Sequence, residues 1–208
     1  MTKRIIYILM TVSALLFAVN AQTMTSSTQD FNNRVQNNVL GISFMKVGEI
    51  NQIDSTNYNI TLQSSGTNSG YNAIAHISVS NRMFVDLPGS YGGRLYLGTP
   101  NSIQLTKNIV KVDSIVSGLQ NYQREYWVVY AGMGMWDCVI NCYEQHEGQY
   151  YIVSYNQDKL LGKPGEIIDG KQLNAEDLKS QALSFLQDGT NSSINEFYKL
   201  LASFQIQN

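Results

Sequence analysis

The sequence predicts an α+β fold: a largely antiparallel β-sheet over about residues 41–156, packed by a C-terminal helical hairpin over about 174–204. Three observations carry this reading. Residues 126–156 hold three adjacent strand-forming runs with short turns between them, the pattern of a meander. In the middle run, Trp136, Cys138, Ile140 and Cys142 alternate with Asp137, Val139, Asn141 and Tyr143, giving one apolar face and one mixed face. Beyond Leu173 the apolar spacing changes from every second residue to every third or fourth, the period of a helix.

At the N-terminus, Lys3 and Arg4 precede an apolar run over residues 5–19 that only Thr11 and Ser13 interrupt. Val19 and Ala21 place compact side chains at the two positions a signal peptidase reads. The sequence therefore predicts a Sec-type signal over 1–21, cleaved after Ala21, and export to the periplasm or the exterior. A membrane span needs about 20 apolar residues, more than this run supplies. An apolar run closing in Ala21 and Gln22 resembles the signals of exported proteins of Bacteroidetes-type bacteria. No Cys follows it to carry a lipid, and no second run approaches its length. The mature chain is expected to be soluble, with no membrane span.

Residues 22–40 read as a polar leader, in which Phe31, Val35 and Val39 recur at the spacing of a short helix. Residues 41–208 read as a single domain. Strands are expected over 42–47, 58–63 and 73–79, with polar turns over 51–57 and 64–70. Residues 86–93 are the densest turn signal in the chain, and 94–97 follow as a short strand. Residues 103–116 are rich in Ile and Val and read as one or two strands, and 118–124 as a polar connection. The meander follows.

Asn174 is placed to cap the first C-terminal helix, with Leu173 and Leu178 as its staple. Its apolar stripe is Leu178, Ala182, Phe185 and Leu186, and Gly189 is placed to end it in the left-handed conformation. Ser193 and Glu196 have the spacing of a capping box for the second helix, whose stripe is Ile194, Phe197, Leu201 and Phe204.

Composition bounds the function. The chain of 208 residues is 43% hydrophobic, enough for a core without covalent staples. Removing Lys3 and Arg4 with the signal leaves 12 basic against 16 acidic side chains, which disfavours a nucleic-acid partner. Charged residues are only 14% of the chain, and 20 Asn and 16 Gln supply the polar surface in their place.

Cys138 and Cys142 are the first candidates for chemistry. On a continuous strand their Cα atoms stand about 14 Å apart, beyond disulfide reach. The strand reading thus predicts two unpaired thiols on one buried face. A helix would bring them to about 6 Å and would align His146 with both. On a strand these three cannot converge on a metal, and the sequence predicts neither metal nor cofactor. A cysteine nucleophile would need His76 or His146 as its base. No Gly-x-Ser-x-Gly, phosphate-loop or His-Glu-x-x-His pattern occurs. The segment around Asp86 and Arg94 has the glycines of an anion-binding loop, but lacks the helix that a phosphate loop uses.

Aromatic residues carry the main functional expectation. Tyr126, Trp127, Tyr130, Trp136, Tyr143 and Tyr151 all lie in the meander. If two helices cover one face, some rings are left on an open face, where Tyr and Trp beside amides suit a neutral polar ligand such as a glycan, or a partner protein. The leading expectation is a non-enzymatic exported binding protein. The alternatives are a small secreted cysteine-dependent hydrolase and a structural component of the cell envelope.

Overall fold

The computed structural model describes residues 33–62 and 73–207. The expected signal, Phe31 and the loop expected over 64–70 lie outside the described residues. The architecture is α+β and largely antiparallel. Its centre is a seven-stranded sheet of β3 (Glu49–Asp54), β4 (Asn57–Leu62), β5 (Ala73–Ser80), β8 (Ile109–Ser117), β9 (Gln120–Gly132), β10 (Met135–His146) and β11 (Gln149–Leu160). The order is β3-β4-β5-β11-β10-β9-β8, with every neighbouring pair antiparallel. Two meanders, β3 to β5 and β8 to β11, are thus zipped together along β5 and β11.

A small sheet of β1 (Arg34–Asn37), β2 (Ile42–Met45) and β14 (Gln205–Ile206) stands apart, in the order β1-β2-β14. A hairpin of β6 (Phe84–Leu87) and β7 (Gly93–Tyr96) encloses one helical turn, α1 (Pro88–Tyr91). A second single turn, α2 (Pro100–Ile103), precedes β8. The remaining elements are β12 (Ile167–Ile168), β13 (Lys171–Gln172), α3 (Ala175–Leu186) and α4 (Ser192–Ser203).

The central strands are buried on both faces. Tyr122, Tyr126, Val128, Trp136, Cys138, Ile140, Cys142, Val153 and Tyr155 face one large core. Leu178, Ala182 and Leu186 of α3 and Ile194, Phe197, Leu200 and Leu201 of α4 close that core. The stripes expected on the two helices are the ones buried, except that Phe185 is only half-buried. Its ring receives the Lys159 ammonium 4.5 Å from its centroid.

The opposite face carries a smaller core of Val85, Leu87, Trp127, Val129 and Val139. The β6–β7 hairpin covers it, and polar side chains of the sheet hold the hairpin's backbone. Asn141 Nδ2 donates to the Phe84 carbonyl at 3.2 Å, and Asn156 Nδ2 to the Asp86 carbonyl at 3.1 Å. The Asp137 carboxylate accepts from Gly89 N at 3.0 Å, Ser90 N at 2.8 Å and the Ser90 hydroxyl. A buried polar group must find such partners, so the mixed face of β10 is built to receive a backbone.

Several local expectations are corrected. The short helix expected before residue 40 is the strand β1, because Val35 pairs with Phe44 across β1 and β2 instead of winding on itself. Residues 51–54 are strand, not turn. Their side chains are largely exposed, so they show no burial period, and backbone pairing to β4 alone makes them a strand. The turn shrinks to the point where Asp54 Oδ1 accepts Thr56 N at 2.7 Å. Residues 120–124, expected as a connection, begin β9.

Asn174 caps α3 as expected, accepting Asp177 N at 2.7 Å. Gly189 does not end α3 in the left-handed region. The chain leaves the helix at Gln187, and Asp188 Oδ1 closes the link by accepting Thr190 N at 2.9 Å. Asn191, not Ser193, caps α4. Ser193 is buried instead, with its hydroxyl 3.0 Å from Tyr155 OH.

Candidate functional site

Covering both faces of the sheet removes the open aromatic strip. Tyr126, Trp136 and Tyr151 are buried beneath the helices, and Tyr130 is half-buried beside them. Trp127 is buried on the opposite face under the hairpin, where its indole N–H donates to Glu125 Oε2 at 2.8 Å. Tyr143 donates to the other oxygen of Glu125 at 3.4 Å. Burial raises the Glu125 carboxyl above its ordinary value, and the two donors partly offset that. The six rings are divided between two faces and serve mainly as core.

Cys138 and Cys142 are free and buried on one face, as a continuous strand requires. Burial pushes the Cys138 thiol up to about 12 and raises Cys142 as well, so neither is a thiolate near neutrality. His76 lies between Ala75 and Ile77, which face the large core, so its ring is on the other face of the sheet from both thiols. His146 is part-exposed at the end of β10, 4.0 Å from Glu147, and about 14 Å of extended strand separates it from Cys142. The structure does not bring a thiol and an imidazole together. Among the described residues no group of His, Cys, Asp and Glu side chains converges as metal ligands.

What the fold does assemble is a cleft of about 420 Å³ between the hairpin and the β3–β5 meander, lined by both polar and apolar residues. Strand alternation supplies its floor. The β4–β5 register sets Asn59 opposite His76 and Asn57 opposite Ser78, all four on the face away from the helices. Ile53 and Asp54 form one rim, and Asp86, Pro88 and Arg94 of the hairpin form the other.

The polar groups form one network. Arg94 makes a two-pronged pair with Asp86, at 3.1 and 3.3 Å, and its Nη2 also donates to Asn57 Oδ1 at 3.1 Å. Its guanidinium lies 3.6 Å above the centre of the Phe84 ring, which fixes its plane. Ser78 Oγ donates to Asn57 Oδ1 at 2.6 Å. The Asn57 amide in turn donates to both oxygens of Asp54, each at 2.8 Å.

His76 Nδ1 is hydrogen-bonded to Asn59 Oδ1. An amide oxygen only accepts, so Nδ1 carries the proton. Burial lowers the imidazole below its ordinary value of 6.5; Asp86 pulls the other way and Arg94 adds to the lowering. The ring is therefore neutral near pH 7, and Nε2 is an acceptor.

The glycine-rich segment, read as a turn with the glycines but not the helix of an anion-binding loop, directs its N–H groups at a carboxyl group of the chain itself. Its backbone N–H groups at Gly89 and Ser90 are taken by Asp137. Arg94 is likewise already matched by Asp86. Of the cleft residues, sequence reasoning singled out His76, Asp86 and Arg94, but could set no partner beside His76. Asn57, Asn59 and Ser78 were missed, although polar residues at alternate positions of two strand-like runs were the signal available.

A second cleft of about 360 Å³ lies where α4 meets β8 and β9. Tyr126 lines it, alone among the six rings named above. Its charges are paired: Arg124 holds Asp113 at 2.6 and 2.9 Å and donates to Tyr198 OH at 2.9 Å, and Lys111 reaches Asp113 at 3.1 Å. An acid pair, the buried Asp137 with the half-buried Asp158, lines neither cleft.

Among the described residues no helix is long and apolar enough to cross a membrane. No protein-family model matches the chain, and no curated protein matches it significantly. Among solved structures, the chain is similar to the solution structure of cyanobacterial PsbP (CyanoP) from Synechocystis sp. PCC 6803. The identity is 12%, the alignment covers 83% of this chain and 91% of that one, and the TM-score is 0.29. A likeness this slight carries no argument about function.

Proposed function

We propose that this chain is an exported, non-enzymatic binding protein that takes a neutral, hydroxyl-bearing ligand, a saccharide unit by chemical class, in the His76–Arg94 cleft. The carrying observation is the pairing of an acceptor with a donor on the walls of one cleft. His76 offers Nε2, which accepts, and Arg94, whose Nε and Nη2 are held by Asp86 and Asn57, offers Nη1, which only donates. A hydroxyl group both donates and accepts, so it satisfies both.

Other ligand chemistries fit less well. A carboxylate cannot donate to His76 and meets Asp86 and Asp54. An ammonium cannot accept from Arg94 and meets its positive charge. Ile53 and Pro88 give the apolar contact that the carbon face of a sugar ring needs. The signal-like N-terminus supports an exported setting, and the two buried thiols argue against the cysteine hydrolase.

The test is a titration of the protein with D-glucose, D-galactose, D-mannose and N-acetyl-D-glucosamine, followed by the His76 imidazole resonances. At least one sugar is expected to move them, and Arg94→Ala is expected to weaken that binding at least tenfold. Resonances that ignore all four sugars, yet move with acetate or methylammonium, would overturn the reading.

A further inference from the structure

The two outer strands of the seven-stranded sheet differ in kind. β3 has six residues, exposes Glu49, Asn51, Gln52 and Asp54 around a single exposed Ile53, and breaks register between Gln52 and Asp54, and such polar side chains and irregularities protect sheet edges from pairing. β8 has nine residues and, among the described residues, pairs with β9 alone. On its face away from the helices Val112 is 58% exposed and Val116 is 75% exposed. Its only register irregularity lies at one end, between Ile109 and Lys111. A long, regular, valine-bearing edge is a template for another strand.

We propose that β8 is the docking surface for a second copy of this chain, with the two β8 strands paired antiparallel about a two-fold axis through Val112. The sequence of β8 selects this arrangement. Residues directly opposite in an antiparallel pair share a face. Centring the pair on Val112 sets Lys111 opposite Asp113 of the second copy, twice, and Ile109 opposite Ile115, twice. Centring it on Lys111 or on Asp113 would oppose like charges, which destabilises a sheet pair. Centring it on Ser114 would set each Asp113 against an Ile115.

The charges are also held ready. Arg124 fixes Asp113 with two hydrogen bonds, and Lys111 lies 3.1 Å from the same carboxylate. Pairing about Val112 would therefore join two such clusters into one ladder of alternating sign. The helices of both copies would lie on the same face of a sheet of fourteen strands, about twice the seven of one chain.

Sedimentation equilibrium of the purified protein tests this, together with two variants. The wild type is expected at the mass of two chains. Val112→Lys places two like charges on the axis and is expected at the mass of one, with an unchanged circular dichroism spectrum. Directly opposed Cα atoms in such a pair stand about 4.5–5.5 Å apart, within disulfide reach. Val112→Cys is therefore expected to give a covalent dimer on mild oxidation, and the two native thiols are buried and do not compete. A monomeric wild type, a dimer that survives Val112→Lys, or a Val112→Cys protein that stays uncrosslinked would each overturn the proposal.

Discussion

Asp158 stands directly opposite Asp137 in the β10–β11 register, and the two carboxyl groups share a hydrogen bond. Two carboxylates cannot both ionise at that distance without cost. Asp137 is fully buried and accepts hydrogen bonds from Gly89 N, Ser90 N and the Ser90 hydroxyl. Asp158 is the partner that holds its proton to higher pH than a free carboxyl group. Burial, and then Asp137, push it up to about 6.

A raised carboxyl contributes stability below its unfolded value of 3.8, and that contribution is lost as pH rises through about 6. Asp158→Asn keeps a donor toward Asp137 and removes the titration. It is expected to melt higher than the wild type at pH 8, with the gain shrinking as pH approaches 4. Melting curves by circular dichroism across that range check it, and a gain that does not depend on pH would break the assignment.

His76 acts in the opposite sense. Its folded value is depressed, so below the ordinary 6.5 the unfolded chain takes up a proton that the folded chain refuses. Stability is expected to fall with pH from about 6.5 until the depressed value is passed. His76→Gln should flatten this part of the pH profile. Measuring it in the Asp158→Asn background separates the two titrations.

The hairpin of β6 and β7 is held over the sheet by side-chain donors, so removing one should loosen it first. Asn156→Ala takes the donor from the Asp86 carbonyl, and Asn141→Ala takes it from the Phe84 carbonyl. Each is expected to cost about 1 kcal/mol of stability. Hydrogen exchange over residues 84–96 should accelerate in both variants, while β10 and β11 keep their protection. Equal acceleration in all three would mean that the hairpin is no separate unit.

Both thiols should be inert in the folded protein. Iodoacetamide at neutral pH is expected to leave the native mass unchanged and to add two labels after denaturation. Rapid labelling of the native protein would mean that Cys138 or Cys142 is reachable, and would reopen the hydrolase reading.

Local features were legible wherever the cause lies within a few residues. Asn174 caps a helix because its amide reaches Asp177 N three positions on. The alternation around Cys138 marks a strand because one apolar face must be buried. Exposed or long-range elements were not legible. Residues 51–54 form a strand only because β4 lies alongside. The aromatic run looked like an open surface because nothing in residues 84–96 announces that this hairpin folds over Trp127.

The sequence by itself determined the α+β class, the meander, the helical stripes and two thiols too far apart to bridge, because periodicity and chain geometry are local. The tertiary structure decided which faces are covered and which polar groups meet. The β4–β5 register sets Asn59 opposite His76, and the folded hairpin brings Asp86 and Arg94 over that strand pair. Such a cleft depends on strands that choose their neighbours by pairing and shared burial across the whole chain, and residue spacing does not encode that choice.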